Sequence, residues 1–70
     1  MIFYVYILFS PSLNKYYVGH TNNLDRRINE HNSGFSKSTK AGIPWKLVCS
    51  FEFTSKAEAV RFENKIKKMK

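Results

Sequence analysis

Residues 2–21 read IFYVYILFSPSLNKYYVGHT, and their pattern decides the fold. Ile2 to Phe9 is β-branched, aromatic and aliphatic throughout and stops at Ser10-Pro11-Ser12, so it predicts a strand running into a turn. Strand alternation puts Phe3, Val5, Ile7 and Phe9 on a hydrocarbon face and Tyr4, Tyr6 and Leu8 on a face with two phenols. Leu13-Asn14-Lys15 closes a short connection, and Tyr16 to Thr21 predicts a second strand antiparallel to the first. Tyr17, Gly19 and Thr21 share one face of it; Tyr16, Val18 and His20 share the other. Glycine weakens a strand, so Gly19 marks a bulge or a point of close approach to the backbone.

A helix follows. Asn22 is placed to cap it, with Asp25 near the positive end of its dipole. Leu24, Arg27, Ile28 and His31 repeat at helical spacing, and Asn32-Ser33-Gly34 ends the run. Residues 33–44 read as a loop made basic by Lys37 and Lys40. Trp45 to Phe53 returns to alternation, with Trp45, Leu47, Cys49, Phe51 and Phe53 predicted on one face. Ser55-Lys56-Ala57-Glu58 predicts a capping box before a last helix. Ala59, Phe62, Ile66 and Met69 form its apolar stripe, Arg61, Lys65 and Lys68 a basic one, and Glu63 lies at the apolar margin. The expected architecture is α+β: a small, mainly antiparallel three-stranded sheet flanked by helices, in the order β-β-α-β-α.

Composition bounds what such a domain does. Residues 1–70 have room for one small core and one domain. Twelve Lys and Arg against five Asp and Glu give a formal net charge of +7, which favours a polyanion. The lone Cys49 forms no internal disulfide and suits a reducing, cytoplasmic setting. With His20 and His31 it makes no zinc-finger spacing. No stretch is long enough to span a bilayer, so no membrane partner is expected, and nothing identifies a protein partner.

The polar groups facing the core are the informative ones. Tyr4 and Tyr6 share a strand face, Tyr17 precedes a strand glycine, Arg27 and His31 lie on the apolar side of one helix, and Glu63 borders that of the other. Singly, each has an ordinary explanation: a ring laid on the core, a snorkelling stem, or Glu63 paired with Arg27 or with Lys67 at i+4. Together they make an inventory for phosphodiester chemistry: a group to activate water, a cation for developing charge and a carboxylate for a metal.

Tyr4-Val5-Tyr6 followed by Tyr17-Val18-Gly19 resembles the paired tripeptides that name the GIY-YIG nuclease superfamily. Arg27, ten residues beyond Tyr17, stands where that family carries its catalytic arginine, and Glu63 matches its metal-binding glutamate. The run from Tyr16 to Thr21, with Leu24 to Arg27 and His31, is similar to small stand-alone bacterial members. These are relatives of the nuclease domain of the nucleotide-excision incision subunit, so the resemblance implies a DNA substrate and a setting in DNA repair. It implies a one-metal hydrolysis in which Glu63 holds Mg²⁺ or Mn²⁺, Arg27 grips the scissile phosphate, Tyr17 serves as general base and Tyr6 orients nucleophile or phosphate. A phenol ordinarily titrates near pH ~10, so the base role demands nearby positive charge. Gly19 would admit substrate, His20 would stand in for a phosphate-binding lysine, and His31 would hold Arg27 or touch phosphate. Tyr4, where the name motif has glycine, and Lys37 and Lys40 complete the expected substrate contacts. Family members usually continue for another helix, so the resemblance implies an early end at Lys70.

Two other readings stay open. A basic nucleic-acid-binding module without catalysis needs only Lys37, Lys40, Arg61, Lys65 and Lys68, and its binding would weaken steeply with salt. A scaffold for an acidic protein predicts an exposed apolar patch along Phe62, Ile66 and Met69. The nuclease reading predicts that Tyr6, Tyr17, Arg27 and Glu63 converge on one cleft.

Overall fold

The structure, a computed structural model, describes residues 1–35, 37 and 39–69. Strands β1 (Phe3–Ser10), β2 (Lys15–Thr21) and β3 (Lys46–Phe53) form one antiparallel sheet in the order β2-β1-β3. Helices α1 (Leu24–Asn32) and α2 (Lys56–Lys68) complete the expected β-β-α-β-α order, and a 3-10 turn, Lys40–Gly42, interrupts the long loop before β3. The β1–β2 connection is tight because buried Ser10 accepts the Leu13 N–H at 3.1 Å and Asn14 takes a left-handed conformation, φ 52°. Asparagine tolerates that conformation better than most side chains do.

The alternation of β1 builds a core on each side of the sheet. On one side Val5 and Val18 pack with Ala59 of α2, and Phe3, Ile7, Phe53, Phe62 and Ile66 surround them. On the other, Tyr6 and Leu8 pack with Trp45, and Leu24 and Ile28 of α1 cover them. Complete burial of Val5 and of Leu8 contributes roughly 1.5–3 kcal/mol each.

Three local expectations are corrected. Asn23, not Asn22, caps α1: its Oδ1 accepts the Arg26 N–H at 3.2 Å, while Thr21 Oγ1 accepts the Asn23 N–H at 3.1 Å and turns the chain into the helix. Ser55 occupies the N-cap of α2, but its side chain makes no cap bond, so the Ser55–Glu58 box is not formed. Trp45 and Leu47 do not share a face with Cys49, Phe51 and Phe53. Ile7 pairs with Cys49 but Leu8 pairs with Leu47, so Val48 is an extra residue in the ladder. That bulge reverses the parity of the strand, which is what a one-residue insertion does. Trp45 thereby turns toward Tyr6 and Leu8, while Val48 joins Ile7, Phe51, Phe62, Ile66 and Met69 around an apolar groove of about 640 Å³ on the α2 side.

Candidate active site

The face of the sheet that carries the phenols holds a buried polar chain. Tyr6 is 1% exposed and its hydroxyl lies 2.9 Å from His31 Nε2. His31 is fully buried, and its Nδ1 lies 2.9 Å from Thr39 Oγ1. Trp45 Nε1 then donates to the Thr39 carbonyl at 2.6 Å. Asn32 fixes Trp45 further, with its Oδ1 accepting the Trp45 N–H at 2.6 Å and its Nδ2 donating to the Trp45 carbonyl at 3.0 Å. A neutral imidazole donates from one nitrogen and accepts at the other, and the two hydroxyls can each take the complementary part. Burial, with the Arg27 charge second, holds His31 below its ordinary pKa, so neutral His31 is favoured. Burial also pushes the Tyr6 phenol up to about 12, although Arg27 pulls it the other way.

His31 is therefore a support for Tyr6, and the expectation that it holds Arg27 or touches phosphate is corrected: its ring is sealed and both nitrogens are engaged. A His31→Ala change removes the imidazole that meets the Tyr6 and Thr39 hydroxyls and opens a cavity. We expect a loss of about 3 kcal/mol, read by urea denaturation at neutral pH. The pH dependence has a definite sign. A histidine with a lowered folded pKa binds protons more readily when unfolded, so its stabilising effect is complete above pH ~6.5 and falls away below it. The variant should lack this acid sensitivity between pH 6.5 and the depressed folded value; equal slopes in both proteins would contradict the assignment.

Gly19 pairs with Tyr6 across the sheet. A Cβ at Gly19 would stand 2.6 Å from Tyr6 Oη and 2.9 Å from Cζ. The space left by Gly19 thus holds the Tyr6 phenol, which corrects the expectation that substrate fills it. Tyr17, one pleat away on the same face, is half-buried, and its ring meets His31 edge-on at 5.0 Å and Trp45 at 6.1 Å. Among the described residues nothing hydrogen-bonds its hydroxyl. Arg27 completes this group from α1, with its side chain 34% exposed and Nη1 donating to Glu30 Oε1 at 3.0 Å. Glu30 first, then the Tyr6 oxygen, holds the guanidinium firmly charged. Arg27 is thus partly snorkelled and paired with Glu30, not with Glu63.

Glu63 lies across the sheet from this group. His20 pairs with Val5 on the α2 side, and its Nδ1 lies 2.5 Å from Glu63 Oε1. Lys67 Nζ lies 2.6 Å from Oε2, so the i+4 pairing is the one realised. Glu63 is only 8% exposed. Burial opposes its ionisation, but Lys67 and His20 outweigh burial and hold the carboxyl below its ordinary value. Tyr6, Tyr17 and Arg27 thus gather on the α1 side of the sheet, and Glu63 meets His20 of the edge strand β2 from the α2 side. The groups still interact electrostatically, since the Glu63 charge resists ionisation of Tyr6. The expected His20 contact with phosphate is limited to Nε2, because Nδ1 is committed to Glu63.

Tyr4 borders a shallow pocket with Asn22, Asn23, Leu24 and Asp25, and Lys37 and Lys40 are exposed on the loop after α1. Thr39, Trp45 and Glu30 escape sequence reasoning as supports of the site, because none carries a motif, whereas Lys67 is reached by its i+4 spacing from Glu63. Trp45, a large aromatic with an N–H to satisfy, was the one available signal. The expectation concerning Lys70 falls outside the described residues. Among those residues no group of three His, Cys, Asp or Glu side chains is poised to hold a metal, and no helix is long and apolar enough to cross a membrane.

Known proteins are similar to this chain over most of its length. The family model for the GIY-YIG catalytic domain matches residues 2–70. UPF0213 protein BH0048 of Halalkalibacterium halodurans is 43% identical over 65 residues, which cover 91% of this chain and 68% of that one. The structure-specific endonuclease subunit SLX1 homolog of Brugia malayi is 41% identical over 71 residues, covering 87% of this chain and 21% of its own length. The solution NMR structure of UPF0213 protein BH0048 from Bacillus halodurans superposes with a TM-score of 0.58 at 43% identity, covering 96% of this chain and 71% of that one. Tyr6 and Tyr17 on paired strands, Arg27 on α1 and Glu63 on α2 thus stand in a chain that belongs to the GIY-YIG catalytic domain family.

Proposed function

We propose that this protein is an endonuclease that hydrolyses phosphodiester bonds in DNA, using Mg²⁺ or Mn²⁺ held by Glu63. One observation carries the reading: the Tyr17 hydroxyl has no protein partner among the described residues, on the same side of the sheet as the charged, partly exposed Arg27 guanidinium. That leaves a phenol able to meet a water molecule beside a cation suited to a phosphate. The family membership and the endonuclease relatives support the same activity.

The residues divide the work. Tyr17 takes the proton of the attacking water. Arg27 binds the scissile phosphate and compensates the charge that develops on it, with Glu30 holding its fork in place. Tyr6 is sealed, so its part is to set the His31 and Tyr17 rings and the Arg27 head rather than to touch the nucleophile. Glu63 fits a cation held mostly through water and phosphate oxygens. Its carboxylate is kept ionised, its two oxygens face His20 and Lys67, and half-exposed Lys67 has a flexible stem that can withdraw. Such an ion supplies stabilisation for the leaving oxygen. Lys37 and Lys40 hold the DNA backbone, and a cytoplasmic role in DNA repair belongs to the same proposal.

Tyr17→Phe isolates the general base, because it keeps the ring contacts to His31 and Trp45 and removes only the hydroxyl. Single-turnover cleavage of a labelled branched DNA should slow by roughly 10²–10⁴-fold while DNA affinity holds. An unchanged rate would remove Tyr17 from the chemistry.

A further inference from the structure

At the exit of α1 the chain makes a Schellman turn: Ser33 is the C-cap, Gly34 follows with φ +79°, and the Phe35 N–H donates to the Glu30 carbonyl at 3.2 Å. In that motif an apolar residue at the position of Phe35 usually folds back on the helix, against the residues three or four places from its end. Here those residues are Glu30 and Asn29, neither of them apolar. Phe35 is left 77% exposed, the most exposed aromatic side chain among the described residues, although its backbone is tied down. The tie leads straight to the candidate site, because Glu30 also holds Arg27 through its carboxylate at 3.0 Å. Exposed Lys37 and Lys40 follow within five residues.

A phenylalanine ring left this exposed returns little burial energy to the fold. An exposed ring followed in sequence by lysines, at the end of the helix that carries Arg27, is the equipment of proteins that stack on unpaired bases. We propose that Phe35 is a specificity residue of this enzyme, stacking on an unpaired or unstacked base close to the phosphate that Arg27 grips. The inference rests on the DNA-cleaving reading above and deepens it: the preferred substrate is DNA with a base already freed from pairing, where no unstacking has to be driven by binding.

The test uses the full chain in EDTA, so that the DNA stays intact, with a branched DNA carrying 2-aminopurine at an unpaired position beside the junction. Anisotropy of a distant dye reports binding, and 2-aminopurine fluorescence reports stacking. Wild type should bind and alter the 2-aminopurine signal. Phe35→Ala should lose the signal and bind the branched DNA roughly 5- to 150-fold more weakly, and Phe35→Trp should restore both. Binding by wild type with a 2-aminopurine signal that Phe35→Ala leaves intact would overturn the role of Phe35 and spare the nuclease reading. No binding of any DNA by wild type would overturn both.

Discussion

Glu63→Gln is expected to abolish metal-dependent cleavage while the protein stays folded. Glutamine keeps the shape of the side chain and can still hydrogen-bond His20 Nδ1. It does not supply the negative charge that would attract a divalent ion into a place where Lys67 already sits at 2.6 Å. If the ion contributes about 3 kcal/mol to the transition state, its loss lowers the rate by at least ~10²-fold. A further readout separates a metal ligand from a structural residue. Mn²⁺ titration followed by proton relaxation should show binding to wild type and none to the variant. Stability should also respond to acid less steeply in the variant. Glu63 has a folded pKa below its ordinary value, so its stabilising effect is complete above pH ~4.5 and is lost as pH falls toward the folded value. Glu63→Gln should lack that portion of the acid dependence. Equal Mn²⁺ binding by both proteins would take Glu63 out of the metal's coordination.

Gly19→Ala should damage both stability and activity through a single methyl group. The new Cβ would press on Tyr6 Oη at 2.6 Å, on Cζ at 2.9 Å and on Tyr17 Cε2 at 3.1 Å. Tyr6 has no room to yield, being buried and bonded to His31. Overpacking of this kind costs about 1–3 kcal/mol, and displacement of the phenol would break the Tyr6–His31 bond and shift Tyr17. The expected result is a lower urea midpoint together with at least a ~10-fold slower cleavage at temperatures where the variant is fully folded. Tyr6→Phe in the same chain removes the nearest clashing atom, so the two changes should be less than additive in stability. Strict additivity would mean that the two residues do not compete for the same space.

Much of this arrangement was legible in the chain. Alternation in residues 3–9 and 16–21 fixed which side chains share a face, and it already placed His20 opposite in parity to Tyr17 and Gly19. The division of the site across the sheet follows from that parity once Glu63 is found on His20. The spacing leaves Arg27 or Lys67 as the partner of Glu63, and Glu30, one turn from Arg27, decides between them. Other features were hidden for physical reasons. The bulge at Val48 lacks a glycine or proline to mark it, so regular alternation through β3 puts Trp45 on the wrong face. The burial of His31 depends on the path of the loop that brings Thr39 and Trp45 over it, which no local periodicity encodes. The role of Gly19 was half legible: close approach was expected, but the approaching group is Tyr6 from the neighbouring strand.

Nicking of supercoiled plasmid by the purified protein, with Mg²⁺, with Mn²⁺ and with EDTA, beside Glu63→Gln, tests the proposed activity most directly. The expected result is nicking with either metal, none in EDTA and a loss of at least ~10²-fold in the variant. Plasmid left intact under every condition, with salt-sensitive DNA binding retained equally by both proteins, would contradict catalysis and leave a basic DNA-binding module.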